Sequence, residues 1–212
     1  IGGVPGDSFD ESSSNSGSLG SANIANEGIL TFSRTDAHTV NNTITGTGTV
    51  RIGVAPGSNG DGTLSDPSPG DISAQVVTFA SSQSYEGDTE VVSGTLNVPN
   101  GQTLGSGLGF ITVQEAGTLT GAGTLEDSLD IFGAIDAGDN GVGTLTANGE
   151  TVFYGGSTLI CDLGDWTEAA SDQLNAADGL DFFIDTSLEI PDEPMTIVLD
   201  PTSLTGFSET DQ

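Results

Sequence analysis

One tripeptide constrains this chain more than any other feature. Gly-Thr-Leu recurs at Gly62-Thr63-Leu64, Gly94-Thr95-Leu96, Gly117-Thr118-Leu119, Gly123-Thr124-Leu125 and Gly143-Thr144-Leu145, with variants at Gly28-Ile29-Leu30 and Gly48-Thr49-Val50. Several successive spacings are 20 residues (28 to 48, 123 to 143) or 23 (94 to 117). A degenerate repeat of that length marks one supersecondary unit stacked on copies of itself. Glycine supplies a corner, and a β-branched Thr followed by an apolar residue opens a short strand with one side chain facing in. The expected fold is all-β, a β-solenoid.

Composition agrees with a thin core. Of 212 residues, 34% are hydrophobic and 6% aromatic, while 32 are glycine. A solenoid tolerates this because each rung buries only a row of apolar side chains against its neighbours. The charge is extreme: 31 acidic residues face Arg34 and Arg51, with no lysine, for a formal −29. Such a surface repels nucleic acid and anionic membranes. The acidity has three readings: adaptation to salty water, where charges are screened within roughly 8 Å or less; divalent-cation binding through carboxylates; or solubility and protection against stray edge pairing. The third, alone or with the first, carries most weight.

Cys161 is the lone cysteine, so it forms no disulfide within the chain; in the run Thr158-Leu159-Ile160-Cys161 it reads as a small buried hydrophobe. No stretch reaches the ~18 uninterrupted apolar residues that span a bilayer. The chain begins at Ile1 and shows no basic or apolar leader. The expectation is a processed protein or a piece of a longer one, its export signal already removed.

Residues 1–22 are rich in Gly, Ser and acid, and read as a flexible lead or an arm that docks on a neighbour through Ile1, Val4, Phe9 and Leu19. Short strands then alternate with Gly/Asn/Asp turns over 23–164, among them Thr49–Ile52, Val76–Phe79, Thr89–Val92, Thr95–Val98 and Phe110–Val113. Residues 55–73, dense in Pro and Gly, read as a loop bulging from one rung. In 165–212 the apolar residues grow larger, around Trp166, Phe182, Phe183 and Met195, and Asp165–Ala170 has room for a helical turn. This region reads as terminal rungs or a cap, since solenoid ends need protection.

The segment Gly28-Ile-Leu-Thr-Phe-Ser-Arg-Thr-Asp, continuing to Ile44-Thr-Gly-Thr-Gly-Thr-Val50, resembles the autotransporter-associated β-strand repeat, whose units run Gly-Thr-Leu-Thr-Phe, then Arg-Ser-Asp, then Ile-Ser-Gly-Thr-Gly. Ser84-Tyr85-Glu86-Gly87-Asp88-Thr89 and Ser93–Val98 are similar to the second half of that unit. The likeness covers about residues 24–185, with the 55–73 loop as a departure. It implies a right-handed parallel β-helix, secreted or surface-displayed by a bacterium, and no catalytic residues.

Candidate chemistry is sparse. Polysaccharide-cleaving β-helices need a cationic base beside acids, for which this chain offers Arg34, Arg51 and His38; Arg34 reads better as a partner of Asp36 or of a neighbouring rung. A Ser-His-Asp triad would rest on His38 alone, with no Gly-X-Ser-X-Gly turn. Calcium is the better ligand: Asp61 and Asp66 in one Gly turn, Asp136 and Asp139 in another, set oxygen ligands in loops that also adopt left-handed turns without metal. The Thr-X-Thr pairs at 43/45, 47/49, 118/120 and 144/146 are too unevenly spaced for one flat ice-binding face, and read as cross-rung ladders. Tyr85, Phe110, Tyr154, Trp166, Phe182 and Phe183 read as core or cap rather than a sugar groove.

The expected function is structural: a non-enzymatic extracellular β-helix, a rod of roughly 40–50 Å at ~4.8 Å per rung, that stacks end to end with its own copies into a fibre, sheath or matrix. The alternative is an adhesin-like module that binds glycans or cell surfaces as a monomer. A lyase or hydrolase would need Arg34 or Arg51 for turnover. No cofactor is required, calcium excepted.

Overall fold

The computed structural model describes residues 19–34, 36–54, 75–138, 141–163, 171–183 and 195–200. Most of the N-terminal arm, the 55–73 loop and the Asp165–Ala170 segment with Trp166 lie outside the described residues. All regular structure among the described residues is β-strand.

The chain opens with β1 (Ile24–Ala25), β2 (Ile29–Phe32), β3 (Ala37–Val40), β4 (Ile44–Thr45), β5 (Thr49–Ile52) and β6 (Val76–Phe79). Two long strands, β7 (Thr89–Val98) and β9 (Phe110–Gly121), flank β8 (Thr103–Leu104). There follow β10 (Thr124–Leu125), β11 (Ser128–Ile131), β12 (Ala134–Ala137), β13 (Thr144–Ala147), β14 (Thr151–Tyr154) and β15 (Thr158–Asp162). The last three are β16 (Gln173–Ala176), β17 (Leu180–Phe183) and β18 (Thr196–Asp200).

Every pairing between these strands is parallel, and the pairings form three ladders. The first runs β2-β5-β7-β9-β11-β14-β17, and the second β3-β6-β7-β9-β12-β15-β18. The third holds β1-β4 and β8-β10-β13-β16. Its two parts are joined at residues 83–86, where Gln83 N–H donates to Thr103 O (2.8 Å) and Glu86 N–H donates to Gly46 O (2.8 Å). The chain visits the ladders in a fixed rotation. In β7 and β9 it passes from the first to the second without a break, so the separate strands expected at Thr89–Val92 and Thr95–Val98 are one. The corner survives as a register shift between Val91 and Ser93.

Alternation along each strand sorts side chains in or out, and parallel register stacks like positions into columns. One buried column in the first ladder is Phe32, Ile52, Val91, Val113, Ile131 and Phe153. In the second, Val77, Leu96, Leu119 and Ile135 align, all fully buried. Leu104 and Leu125 do the same in the third.

This arrangement explains the tripeptide. In Gly94-Thr95-Leu96 and Gly117-Thr118-Leu119 it opens the second-ladder half of a strand; in Gly123-Thr124-Leu125 and Gly143-Thr144-Leu145 it opens a third-ladder strand. Each Leu is fully buried. Gly-Thr-Leu is therefore a corner device used more than once per circuit, not a marker of one rung, which accounts for copies only six residues apart at 117 and 123. At the corner entering the first ladder, Gly48, Gly87 and Gly109 each sit so that a Cβ would strike the carbonyl oxygen of the glycine beneath: Gly28, Gly48 and Gly87 respectively.

Circuits differ in length. Val50 pairs with Thr89, 39 residues on, and Thr144 with Gln173, 29 residues on. Among the described residues the first and second ladders each hold seven strands and the third holds six, a stack of about 30 Å at ~4.8 Å per strand. Across the longest interval two buried glutamines serve as staples. Gln75 accepts from Arg34 N–H (2.5 Å) and donates to Phe32 O (2.9 Å). Gln83 accepts from Ile44 N–H (2.7 Å) and donates to Asn42 O (3.1 Å). Both amides satisfy backbone groups that would otherwise be buried unpaired.

Candidate functional site

The cationic groups come first, since catalysis on an acidic polysaccharide would depend on them. Arg34 makes a two-pronged pair with Asp36, Nε to Oδ1 at 2.8 Å and Nη2 to Oδ2 at 2.9 Å. Arg51 on β5 binds Glu90 of the next strand in the ladder, Nη2 to Oε2 at 2.6 Å. His38 is half-buried with its ring 6.2 Å from that of Phe32. Burial, and then the Arg34 charge, hold the imidazole below its ordinary basicity. Each cation thus has a neighbour in the fold, and no serine is hydrogen-bonded to His38 among the described residues.

The calcium candidates separate. Asp61, Asp66 and Asp139 lie outside the described residues. Asp136 lies on β12, in register with Thr120 on one side and Ile160 on the other. Among the described residues no three His, Cys, Asp or Glu side chains gather as a metal-holding group.

Near Asp136 lies a carboxylate that the pattern of residues did not single out. Asp172, 8% exposed, accepts from Gly143 N–H through Oδ1 (2.8 Å) and from Asp162 N–H through Oδ2 (2.7 Å). It ties the start of β13 to the end of β15. Burial raises its pKa above the ordinary value of 3.8, against the pull of those two hydrogen bonds. Cys161, half-buried where a buried small hydrophobe was expected, has its thiol pushed up by burial and then by Asp172, Asp136 and Asp162. A thiol held protonated is a poor nucleophile at neutral pH.

A second unforeseen carboxylate is Asp127, fully buried before β11. Its Oδ1 accepts from the backbone N–H of Ser106 (3.2 Å), Gly107 (2.7 Å) and Gly109 (3.2 Å). The Gly-rich turn 105–109 is thus wrapped on an internal carboxyl group, with Oδ2 packed against Gly105 and lacking a hydrogen bond. The run Gly105-Ser-Gly-Leu-Gly109 was the available signal; nothing in the sequence pointed to the aspartate of the following circuit.

The candidate aromatic residues that the structure describes stand at separate places in the fold. Tyr85 is buried, its hydroxyl 2.6 Å from Thr89 Oγ1. Tyr154 stacks on Phe132 at 4.2 Å and 11°, each ring covering one face of the other. Phe110, 54% exposed, stands on β9; Phe182, 55% exposed, packs on Phe153 at the last first-ladder strand. The complete Thr-X-Thr pairs also part company, 118/120 to the second ladder and 144/146 to the third. Outward threonines nonetheless align between circuits: Thr95 with Thr118, and Thr103 with Thr124 and Thr146.

No family model, curated protein or solved structure matches the chain. Function must therefore be argued from the surface itself. That surface carries the −29 charge with both arginines paired.

The electrostatics give a direct expectation. Asp172 has a raised folded-state pKa, so the fold favours its protonated form. That contribution is complete below the unfolded value near 3.8 and is lost as pH rises through the folded pKa. Removing negative charge also relieves self-repulsion. Thermal melts should therefore show Tm rising as pH falls from 7 toward that unfolded value, and rising with added NaCl at pH 7. A gain of about 1 kcal/mol would appear as ~2–4 °C at this chain length. A Tm that drops over that pH range would overturn the assignment.

Proposed function

We propose that this chain is a non-enzymatic structural protein of the bacterial exterior, a right-handed parallel β-helix that stacks end to end with copies of itself into a fibre, sheath or matrix. The fixed rotation through three parallel ladders supports the closed coil, and the strong handedness preference of parallel crossovers supports its right-handed sense. The resemblance to the autotransporter-associated repeat supports an exported, surface-associated protein.

The observation that carries self-assembly is the state of the two ends. At one, Phe32 of β2 and Val40 of β3 are fully buried and Ile24 of β1 is half-buried. At the other, Leu180, Phe182 and Ile197 belong to inward columns, above Thr151, Phe153 and Leu159, yet are 42%, 55% and 59% exposed. The strands β16, β17 and β18 are each paired along one edge among the described residues. An open core rimmed by unpaired parallel edges accepts another strand layer. A copy arriving by translation along the stack brings β1, β2 and β3 in the matching polarity, a head-to-tail contact that propagates.

Lateral approach is opposed by the acidic flanks, so growth along the axis is favoured. Electron microscopy of concentrated protein should show filaments, more abundant when salt or a divalent cation screens the charge. Phe182→Asp should leave monomers folded and stop elongation. Monodisperse particles under all conditions would remove the proposal, and glycan binding by those particles would favour the adhesin reading instead.

A further inference from the structure

The sequence contains Asn-Gly at 59–60, 100–101, 140–141 and 148–149. Glycine after asparagine leaves its backbone nitrogen unshielded, so it can attack the preceding side-chain carbonyl. Whether it does so in a folded protein depends on the freedom of both groups. Both residues of the second and fourth pairs are described, and their surroundings are opposite.

Asn100 and Gly101 occupy the turn between β7 and β8, closed by a hydrogen bond from Gln102 N–H to Pro99 O (3.0 Å). Gly101 has φ +79°, the left-handed conformation that third-position turn glycines adopt. Both residues are exposed, and no atom lies within 4 Å of where a Gly101 Cβ would stand. Among the described residues no hydrogen bond holds the Asn100 side chain or the Gly101 N–H.

Asn148 is also exposed, so exposure does not separate the two. Its backbone N–H donates to Leu125 O (2.8 Å) and its side-chain amide donates to Glu126 Oε2 (3.0 Å). Gly149 is pressed against the Asp127–Ser128 peptide, where a Cβ would come within 2.7 Å of Asp127 O and Ser128 N. The attacked amide is held by a hydrogen bond, and the residue that carries the attacking nitrogen is packed against backbone.

The structure assigns Asn100 as a site of spontaneous deamidation in the folded protein, with Asn148 protected by its fold contacts. The Gly101 nitrogen gives up its proton to solvent base and bonds to Asn100 Cγ. The Cγ–Nδ2 bond breaks and ammonia leaves. Water then opens the cyclic imide at either carbonyl, yielding aspartate or isoaspartate. Water is the co-reactant and no oxidant is needed. Each event adds one negative charge at the exposed tip of the turn, so the ladders remain intact.

The test ages the intact folded chain in mildly alkaline buffer and follows each site by peptide mapping with mass spectrometry. Hydroxylamine cleavage provides an independent readout of the imide. Asn100 should convert at least about tenfold faster than Asn148, the rate ratio that one or two lost hydrogen bonds can impose. In denaturant the two rates should converge. Equal rates in the folded protein, faster reaction at Asn148, or an inert Asn100 in a sample whose denatured form reacts would each overturn the assignment.

Discussion

Gly48→Ala should destabilise the protein by more than about 2 kcal/mol, while Gly28→Ala should be nearly silent or slightly stabilising. Both glycines stand at the corner entering the first ladder. A Cβ on Gly48 would collide with the carbonyl oxygen and nitrogen of Gly28, whereas one on Gly28 meets nothing within 4 Å. The obstruction at Gly48 is backbone, fixed by hydrogen bonds from Gly48 N–H to Asn26 O and from Thr49 N–H to Gly28 O, both 2.8 Å. It cannot turn aside as a side-chain tip would. Inserting even one methyl into a close-packed site commonly costs ~1–3 kcal/mol, and a rigid neighbour puts this case at the upper end. Urea unfolding of the two variants, compared at equal m-value, makes the measurement. Equal midpoints would refute the stacked-glycine account of the corner.

Asp127→Ala should be more damaging still, at roughly 3 kcal/mol or more, with Asp127→Asn close to wild type. The alanine strands the N–H groups of Ser106, Gly107 and Gly109, two of them part-buried and the third buried, with nothing to accept them. Each buried donor left unpaired costs on the order of 1–3 kcal/mol. Asparagine keeps an acceptor where Oδ1 lies. Urea midpoints, with amide hydrogen exchange over 105–109, distinguish the cases. If both variants fall equally, the carboxylate's charge rather than its acceptor geometry holds the turn.

The fold was legible in the chain to the extent that its chemistry is periodic. The inward Leu of each Gly-Thr-Leu and the alternation in segments such as Thr49–Ile52 announce strands with one buried face. Spacing alone misled on how often the tripeptide occurs, because a corner looks the same wherever it falls in a circuit; pairing register separates Gly117 from Gly123. Asp127, Asp172, Gln75 and Gln83 were not legible for a different reason. Each acts across 10 to 43 residues on backbone groups, as in Asp162 N–H to Asp172 and Gln75 to Phe32 O, and backbone partners leave no trace in residue type. Arg34 with Asp36 was legible because both members lie in one short segment. The sparse functional signal has a physical counterpart: buried or paired polar groups here secure turns and corners, leaving the ends and flanks as the surfaces open to partners.

The pairing of the two arginines has a consequence for how the chain meets proteases. Trypsin-like proteases need an arginine or lysine side chain free to enter a deep acidic pocket, on a segment that can be drawn out as an extended substrate. Arg34 is 10% exposed and clasped by Asp36; Arg51 lies in a strand hydrogen-bonded on both edges, to β2 and β7. With no lysine anywhere in the 212 residues, the trypsin-like class of proteases finds both of its possible cleavage residues ion-paired in the folded chain.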